Sequence, residues 1–336
     1  MIFVGIISCK KDKTPFPLEP PYNDLEHGWQ NDFGDEDFIY PGWSFLIEDS
    51  LQFHVPQFNP SNPNEIIYYR HDYTTNSHQL IKYNLRTTEK NILTNGLMIR
   101  HEPSYSSQGQ IVFSTFPDGQ LYSVNDSDTE TSLFSSGSPF GYPTWMSNGD
   151  CILFTEIHPN QRNLIKKCIS SNSLDTLINA NQPVYFVSMM RKISNMDFLL
   201  IRATLNNSGY YAYASLLEDS LVLHPIYNYI NGIAHDTDYF CWSHDSQYIY
   251  LAYHTTGKIY KVRVSDGEVE LFRDQFNGNW LQSIASSPDG KYLIVERVVL
   301  SNTFTSTGEL NFGIRTHSQI QLIDIETKKI KILDLD

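Results

Sequence analysis

The chain has 336 residues, with 24 Lys+Arg against 38 Asp+Glu and a net charge of −14. That balance excludes broad electrostatic binding of nucleic acid, which needs a basic surface to displace counterions. Hydrophobic residues make up 40% and aromatics 13%, enough to bury a large core, and no apolar run approaches the roughly 18 residues that cross a bilayer as a helix.

Met1 to Ile7 is almost wholly apolar and leads into Ser8-Cys9, followed by Lys10, Lys11 and Lys13. A small residue before a cysteine at the end of a short apolar stretch resembles the lipobox of bacterial lipoproteins, whose thiol is lipidated and becomes the new N-terminus. The resemblance implies that residues 1–9 are the remnant of a signal peptide and that Cys9 is the lipidation site. It also implies a protein of the bacterial cell envelope, lipid-anchored to the outer membrane and facing the periplasm or the surface. The basic n-region of such a peptide is missing here, and an upstream start would supply it. A short core strand ending in an ordinary cysteine is the alternative.

Residues 10–51 read as a tether and acidic lead-in, with Pro15, Pro17, Pro20 and Pro21 followed by Asp32, Asp35, Glu36 and Asp37. Residues 10–50 hold ten acids against three lysines, so this segment carries −7 of the net charge of −14. Everything downstream is therefore only moderately acidic.

From residue 52 to 336 the dominant signal is internal repetition, with a period of about 40 to 50 residues. A polar turn recurs as Pro103-Ser104-Tyr105-Ser106-Ser107-Gln108-Gly109, Pro143 to Gly149, Phe240 to Ser246 and Ile284 to Gly290. Each turn precedes an apolar, β-rich strand, at Ile66 to Tyr69, Ile111 to Phe113, Cys151 to Phe154, Phe198 to Ile201, Tyr248 to Leu251 and Tyr292 to Val295. Third strands follow at 80–85, 121–124, 164–169, 210–215, 259–264 and 320–325, and fourth strands at 92–93, 133–134, 177–178, 221–223, 269–272 and 330–333. One four-stranded sheet cannot bury both faces until neighbours pack on it, so the pattern predicts an all-β protein, a six-bladed β-propeller with four antiparallel strands per blade.

The phrase Ser287-Pro288-Asp289-Gly290-Lys291-Tyr292-Leu293-Ile294-Val295 resembles the PD40-type repeat of TolB-like propellers, and degenerate copies stand in other units. The resemblance covers about 52–336 and implies binding through the channel mouth in the cell envelope. Residues 10–50 are too few for the separate N-terminal α/β domain of TolB, so its particular role does not transfer. Ring closure is open: the last unit has all four strands of its own, and residues 38–50 could add to an edge or plug the channel.

Function in this fold gathers where loops surround the channel mouth. Aligning the units on their turns brings His54, His101, Asp238 and Gln282 to equivalent entries of the inner strands, with Glu102 and Asp236 beside two of them. Glu156, Arg202, His254 and Glu296, along with Arg70, His71 and Arg297, stand at the ends of second strands. Such a ring could bind a charged peptide or glycan, or hold a metal through histidine and carboxylate ligands; equally, strand ends are polar wherever water reaches them. The connection from Val298 to Ser318 reads as the longest loop, a lid or an insertion without a role.

Cys151 and Cys168 fall symmetrically about a turn near Pro159-Asn160, which permits a disulfide in an exporting compartment; two buried thiols are the preferred expectation. Paired zinc-type Cys-x-x-Cys, His-Glu-x-x-His, phosphate-loop and Gly-x-Ser-x-Gly patterns are all missing, and no room remains for an α/β-hydrolase domain. The expected function is a monomeric, non-catalytic envelope lipoprotein without a cofactor, binding an envelope protein, peptide or glycan and no nucleic acid. The competing expectation is a metal-dependent polysaccharide lyase or other hydrolytic enzyme working at the channel mouth.

Overall fold

A computed structural model describes Leu25 and residues 51–335, apart from short internal segments. The chain pairs into six four-stranded antiparallel sheets, each built from consecutive strands. The first holds β1 (Leu51–Asn59), β2 (Asn62–Asp72), β3 (Ser77–Asn84) and β4 (Lys90–Asn95), and the second β5 (Ser104–Tyr105), β6 (Ile111–Ser114), β7 (Leu121–Val124) and β8 (Thr131–Phe134). The third holds β9 (Phe140–Trp145), β10 (Cys151–His158), β11 (Gln161–Cys168) and β12 (Leu174–Ile178), and the fourth β13 (Ser188–Ile193), β14 (Met196–Leu205), β15 (Ser208–Leu217) and β16 (Ser220–Pro225). The fifth holds β17 (Thr237–Trp242), β18 (Tyr248–Tyr253), β19 (Ile259–Arg263) and β20 (Val269–Arg273), and the sixth β21 (Asn279–Ser286), β22 (Tyr292–Phe304), β23 (Leu310–Asp324) and β24 (Ile330–Ile332).

The architecture is a β-propeller, and its second strands are the most deeply buried because both of their faces meet a neighbouring sheet. Ile66 to Tyr68, Ile111 to Phe113, Ile152 to Phe154 and Leu293 to Val295 are at most 1% exposed. Cores form between sheets as well as within them. Ile67, Leu80 and Leu93 pack with Ile111 and Phe113, and Val112 and Leu121 pack with Trp145 and Phe154.

Six blades were expected; among the described residues five are counted, the five sheets with described side chains that share such cores. The sheet β13–β16 is described in its backbone alone; β13 approaches both β9 and β17.

The ring closes without exchanging a strand between its ends. β1 packs directly on β21, β22 and β23, and Phe53, Tyr68 and Tyr83 share a core with Ile294, Ile320 and Leu322. Leu25, from the lead-in, sits in that same core. Hydrogen bonds reinforce the seam: the Phe53 N–H donates to Ser318 Oγ at 2.7 Å, and that hydroxyl donates to the Phe53 carbonyl at 2.7 Å. Residues 38–50 and Cys9 lie outside the described residues.

The expected long loop in the last sheet is also corrected. β22 and β23 stay paired out to Phe304↔Leu310, so the segment is an extended β-hairpin with two register irregularities. Its Val298, Val299, Thr303 and Phe304 carry strand propensity that a search for turn residues overlooks.

Candidate ligand-binding site

The repeated turn phrase has one physical design. Its fourth residue closes the turn across the strand ends, as Ser106 N–H to Gln110 O at 2.7 Å, Met146 N–H to Cys151 O at 2.8 Å, Ser243 N–H to Tyr248 O at 2.9 Å and Ser287 N–H to Tyr292 O at 2.8 Å. Three of these positions are serine because the hydroxyl accepts from the following strand, at 3.0 Å from Gln110 N–H and 2.9 Å from both Tyr248 and Tyr292 N–H. Ser243 and Ser287 also donate to Asp245 and Asp289, at 2.6 and 2.7 Å. Although burial pushes the Asp245 carboxyl up, the hydrogen bond from Ser243 and those from backbone N–H groups hold it below the usual carboxylate range. The phrase ends in the left-handed region, at Gly109, Gly149 and Gly290 with φ of 82°, 66° and 73°, and at Ser246 with φ of 58°.

These turns surround a cavity of about 330 Å³ at the end of the inner strands where they turn into the second strands. Tyr105, Tyr142 and Trp242 supply ring surface, and His244 stands exposed beside them. Hydroxyls come from Ser61, Ser104, Ser107, Thr144, Ser243, Ser286 and Ser287, and the rim carries Pro60, Pro103, Pro143 and Pro288. Among the described residues no Asp, Glu, Lys or Arg lines it. Trp242 is 6% exposed, and its buried indole Nε1 has no hydrogen-bond partner among the described residues.

The ionisable ring expected from the sequence stands at a different level. Inner strands β1, β9, β13, β17 and β21 each carry one extra residue against their second strand, between His54 and Gln57, Gly141 and Thr144, Ser188 and Met190, Thr237 and Tyr239, and Leu281 and Ser283. Asp238 and Gln282 are themselves the extra residues. A bulge re-aims side chains and commonly stands beside functional sites. Glu156 and Arg202 pair across to Phe140 and Ser188 on the far side of the bulge from the turn, and Glu296 pairs with Ser283 on its near side. His54, Glu156, Gln282 and Glu296 are described in full; only the backbone is described for Arg202 and Asp238, while His101, Glu102, Asp236 and His254 lie outside the described residues.

Among the described residues of that set, His54 and Glu296 meet directly. Glu296 is 1% exposed, and its Oε1 is 2.9 Å from His54 Nδ1. Its Oε2 accepts the Val55 N–H at 3.0 Å. Val55 has φ of 47°, a costly conformation for a β-branched residue, and the carboxylate holds its N–H in place. His54 stacks on Tyr69, which hydrogen-bonds His78, and His78 stacks on His71 with ring centroids 4.1 Å apart. Burial, and then neighbouring His71, lower the His78 pKa. Glu156 accepts from Asn163 at 3.4 Å.

Cys151 and Cys168 pair across β10 and β11 and are joined by a disulfide, which corrects the expectation of two thiols. The only cluster of three possible metal ligands among the described residues is Asp150 with these two cysteines, and the disulfide takes their sulfurs. Those residues do not fit a metal.

The sequence missed the cavity because its walls are the repeat phrase itself, whose serines and glycines are fully explained by the turn. Trp242 and His244 were the available signal, since neither is needed for that turn.

No family model and no curated protein matches the chain. Solved structures do. TolB from Acinetobacter baumannii superposes with a TM-score of 0.57 at 10% identity, covering 80% of this chain and 76% of that one. A gluconolactonase from Xanthomonas campestris gives 0.57 at 9% identity, covering 84% and 87%. An oligogalacturonate lyase from Vibrio parahaemolyticus gives 0.52 at 14% identity, covering 86% and 80%. This chain is a TolB-like propeller in fold; neighbours of that fold include both TolB and enzymes.

Proposed function

We propose that the protein is a cell-envelope lipoprotein whose propeller is a non-catalytic protein- or ligand-binding module. The observation that carries the binding reading is the cavity, where residues at the ends of five of the six inner strands, β1, β5, β9, β17 and β21, bring ring faces and hydroxyls together. Pockets that bind ligands combine apolar surface with a few placed polar groups in this way. The Cys151–Cys168 disulfide supports an oxidising compartment, as the lipobox-like Cys9 does. The sheet β13–β16 completes the ring as a sixth blade, and a lipid on Cys9 anchors the chain to the outer membrane through residues 10–51. Metabolic labelling with a palmitate analogue tests the anchor: the expected result is label on the wild-type chain that Cys9→Ala removes, and an unlabelled wild type overturns it.

The second reading, a metal-dependent lyase or other hydrolytic enzyme, rests on the His54–Glu296 pair in the channel wall. Elemental analysis of protein purified without chelator favours it if a stoichiometric divalent metal is lost in His54→Ala.

A further inference from the structure

We propose that Leu25 is a latch: it keeps the first and last sheets of the ring together and, through them, holds His54 against Glu296. Consecutive sheets are joined by the chain, whereas the first and last are joined by no linker and share no strand. Parting them breaks no covalent connection, so the seam is held by what is buried and hydrogen-bonded there.

That seam is covered unevenly. Residues opposite one another in neighbouring strands share a face, and the register puts Tyr68, Ile81 and Ile92 on one face of the first sheet, from the second strand to the outermost. Tyr68 and Ile81 are at most 1% exposed and share a core with Ile320 and Leu322, but Ile92 is 47% exposed. The interface is closed at its inner strands and open at its outermost.

Leu25 enters this core from outside the repeat. It stands well upstream of β1 and is nevertheless only 9% exposed. Every other buried member of the core comes from the first sheet, the last sheet or the residues just after β3 and β24. Ordering a spacer residue costs conformational entropy, and apolar burial at the interface that lacks a linker offsets it. The same interface carries polar contacts of the channel wall. The Phe53 and Val55 N–H groups donate across it to Ser318 Oγ at 2.7 Å and Glu296 Oε2 at 3.0 Å, beside the His54–Glu296 contact. Separating the two sheets parts all of these at once, which makes Leu25 a positioning residue for the pair.

The test is residue-resolved amide hydrogen exchange on the full chain, comparing the wild type with Leu25→Ala, Leu25→Asp and Leu25→Met. The Phe53 and Val55 amides report the seam, while those of Ser106 and Met146, which close turns inside the second and third sheets, report the rest of the ring. Exchange at Phe53 and Val55 is expected to speed by at least about tenfold in Leu25→Ala and by more in Leu25→Asp, and to stay within about twofold at Ser106 and Met146. Leu25→Met conserves volume and apolarity and should restore wild-type exchange. Leu25→Ala keeps the test valid if Leu25→Asp does not fold. Unchanged exchange at Phe53 and Val55, or an equal rise at Ser106 and Met146, overturns the latch.

Discussion

Glu296 and His54 are 242 residues apart in sequence and 2.9 Å apart in space, and their contact fastens the first strand of the ring to the last sheet. Because the carboxylate is buried and also accepts the Val55 N–H, its removal strands two donors at once. Glu296→Ala is expected to lower stability by about 2–4 kcal/mol, with Glu296→Gln losing less because the amide oxygen still accepts. Chemical denaturation checks this, and an unchanged midpoint for Glu296→Ala would show that the seam does not depend on the pair.

The turn phrase predicts opposite effects at equivalent positions. Ser246 occupies a left-handed conformation that glycine takes in the related turns, so Ser246→Gly should be neutral or stabilise by up to about 1 kcal/mol. Gly290→Ala should destabilise by more than about 1 kcal/mol, because φ is +73° and a new Cβ would stand 3.2 Å from His244 Cβ. Thermal melts of the two variants should move apart.

Alkylation of denatured but unreduced protein should label Cys241 and leave Cys151 and Cys168 unlabelled; labelling of all three would remove the disulfide from the account. Replacing both bonded cysteines with serine should cost up to about 3 kcal/mol for a loop of this size.

Stability should also depend on pH through His78. Its pKa in the folded chain lies below the ordinary 6.5 because burial, and then His71, disfavour the charged form. The unfolded chain therefore binds the proton more readily, so this contribution is complete above pH 6.5 and is lost as the pH falls through that value toward the folded pKa. Urea midpoints should drop between neutral and mildly acidic pH by more in the wild type than in His78→Gln. Parallel profiles would show that the stacked pair with His71 has no such role.

All the strands predicted second, third and fourth in their sheets are strands of the structure, because their apolar runs are bounded by turn residues such as Ser265-Asp266-Gly267. The sheet β13–β16 was legible as strands from apolar runs such as Phe198 to Ile201. The ionisable ring was legible as a level and not as a set of contacts. Repeat alignment places Asp238 and Gln282 at equivalent points, but only the bulges explain why those points leave the ladder. That His54 meets Glu296 depends on the first and last sheets packing together, a relationship no local pattern encodes.

The central claim is that the turn-lined cavity binds the protein's ligand, and site-specific photo-crosslinking in living cells tests it most directly. A benzophenone side chain placed at His244 or Ser107 on the cavity wall should yield a discrete adduct, whereas the same group at Ile92 or Leu271, exposed on outer strands β4 and β20, should not. Adducts of equal yield at the outer positions, or none at His244 and Ser107, would contradict the account.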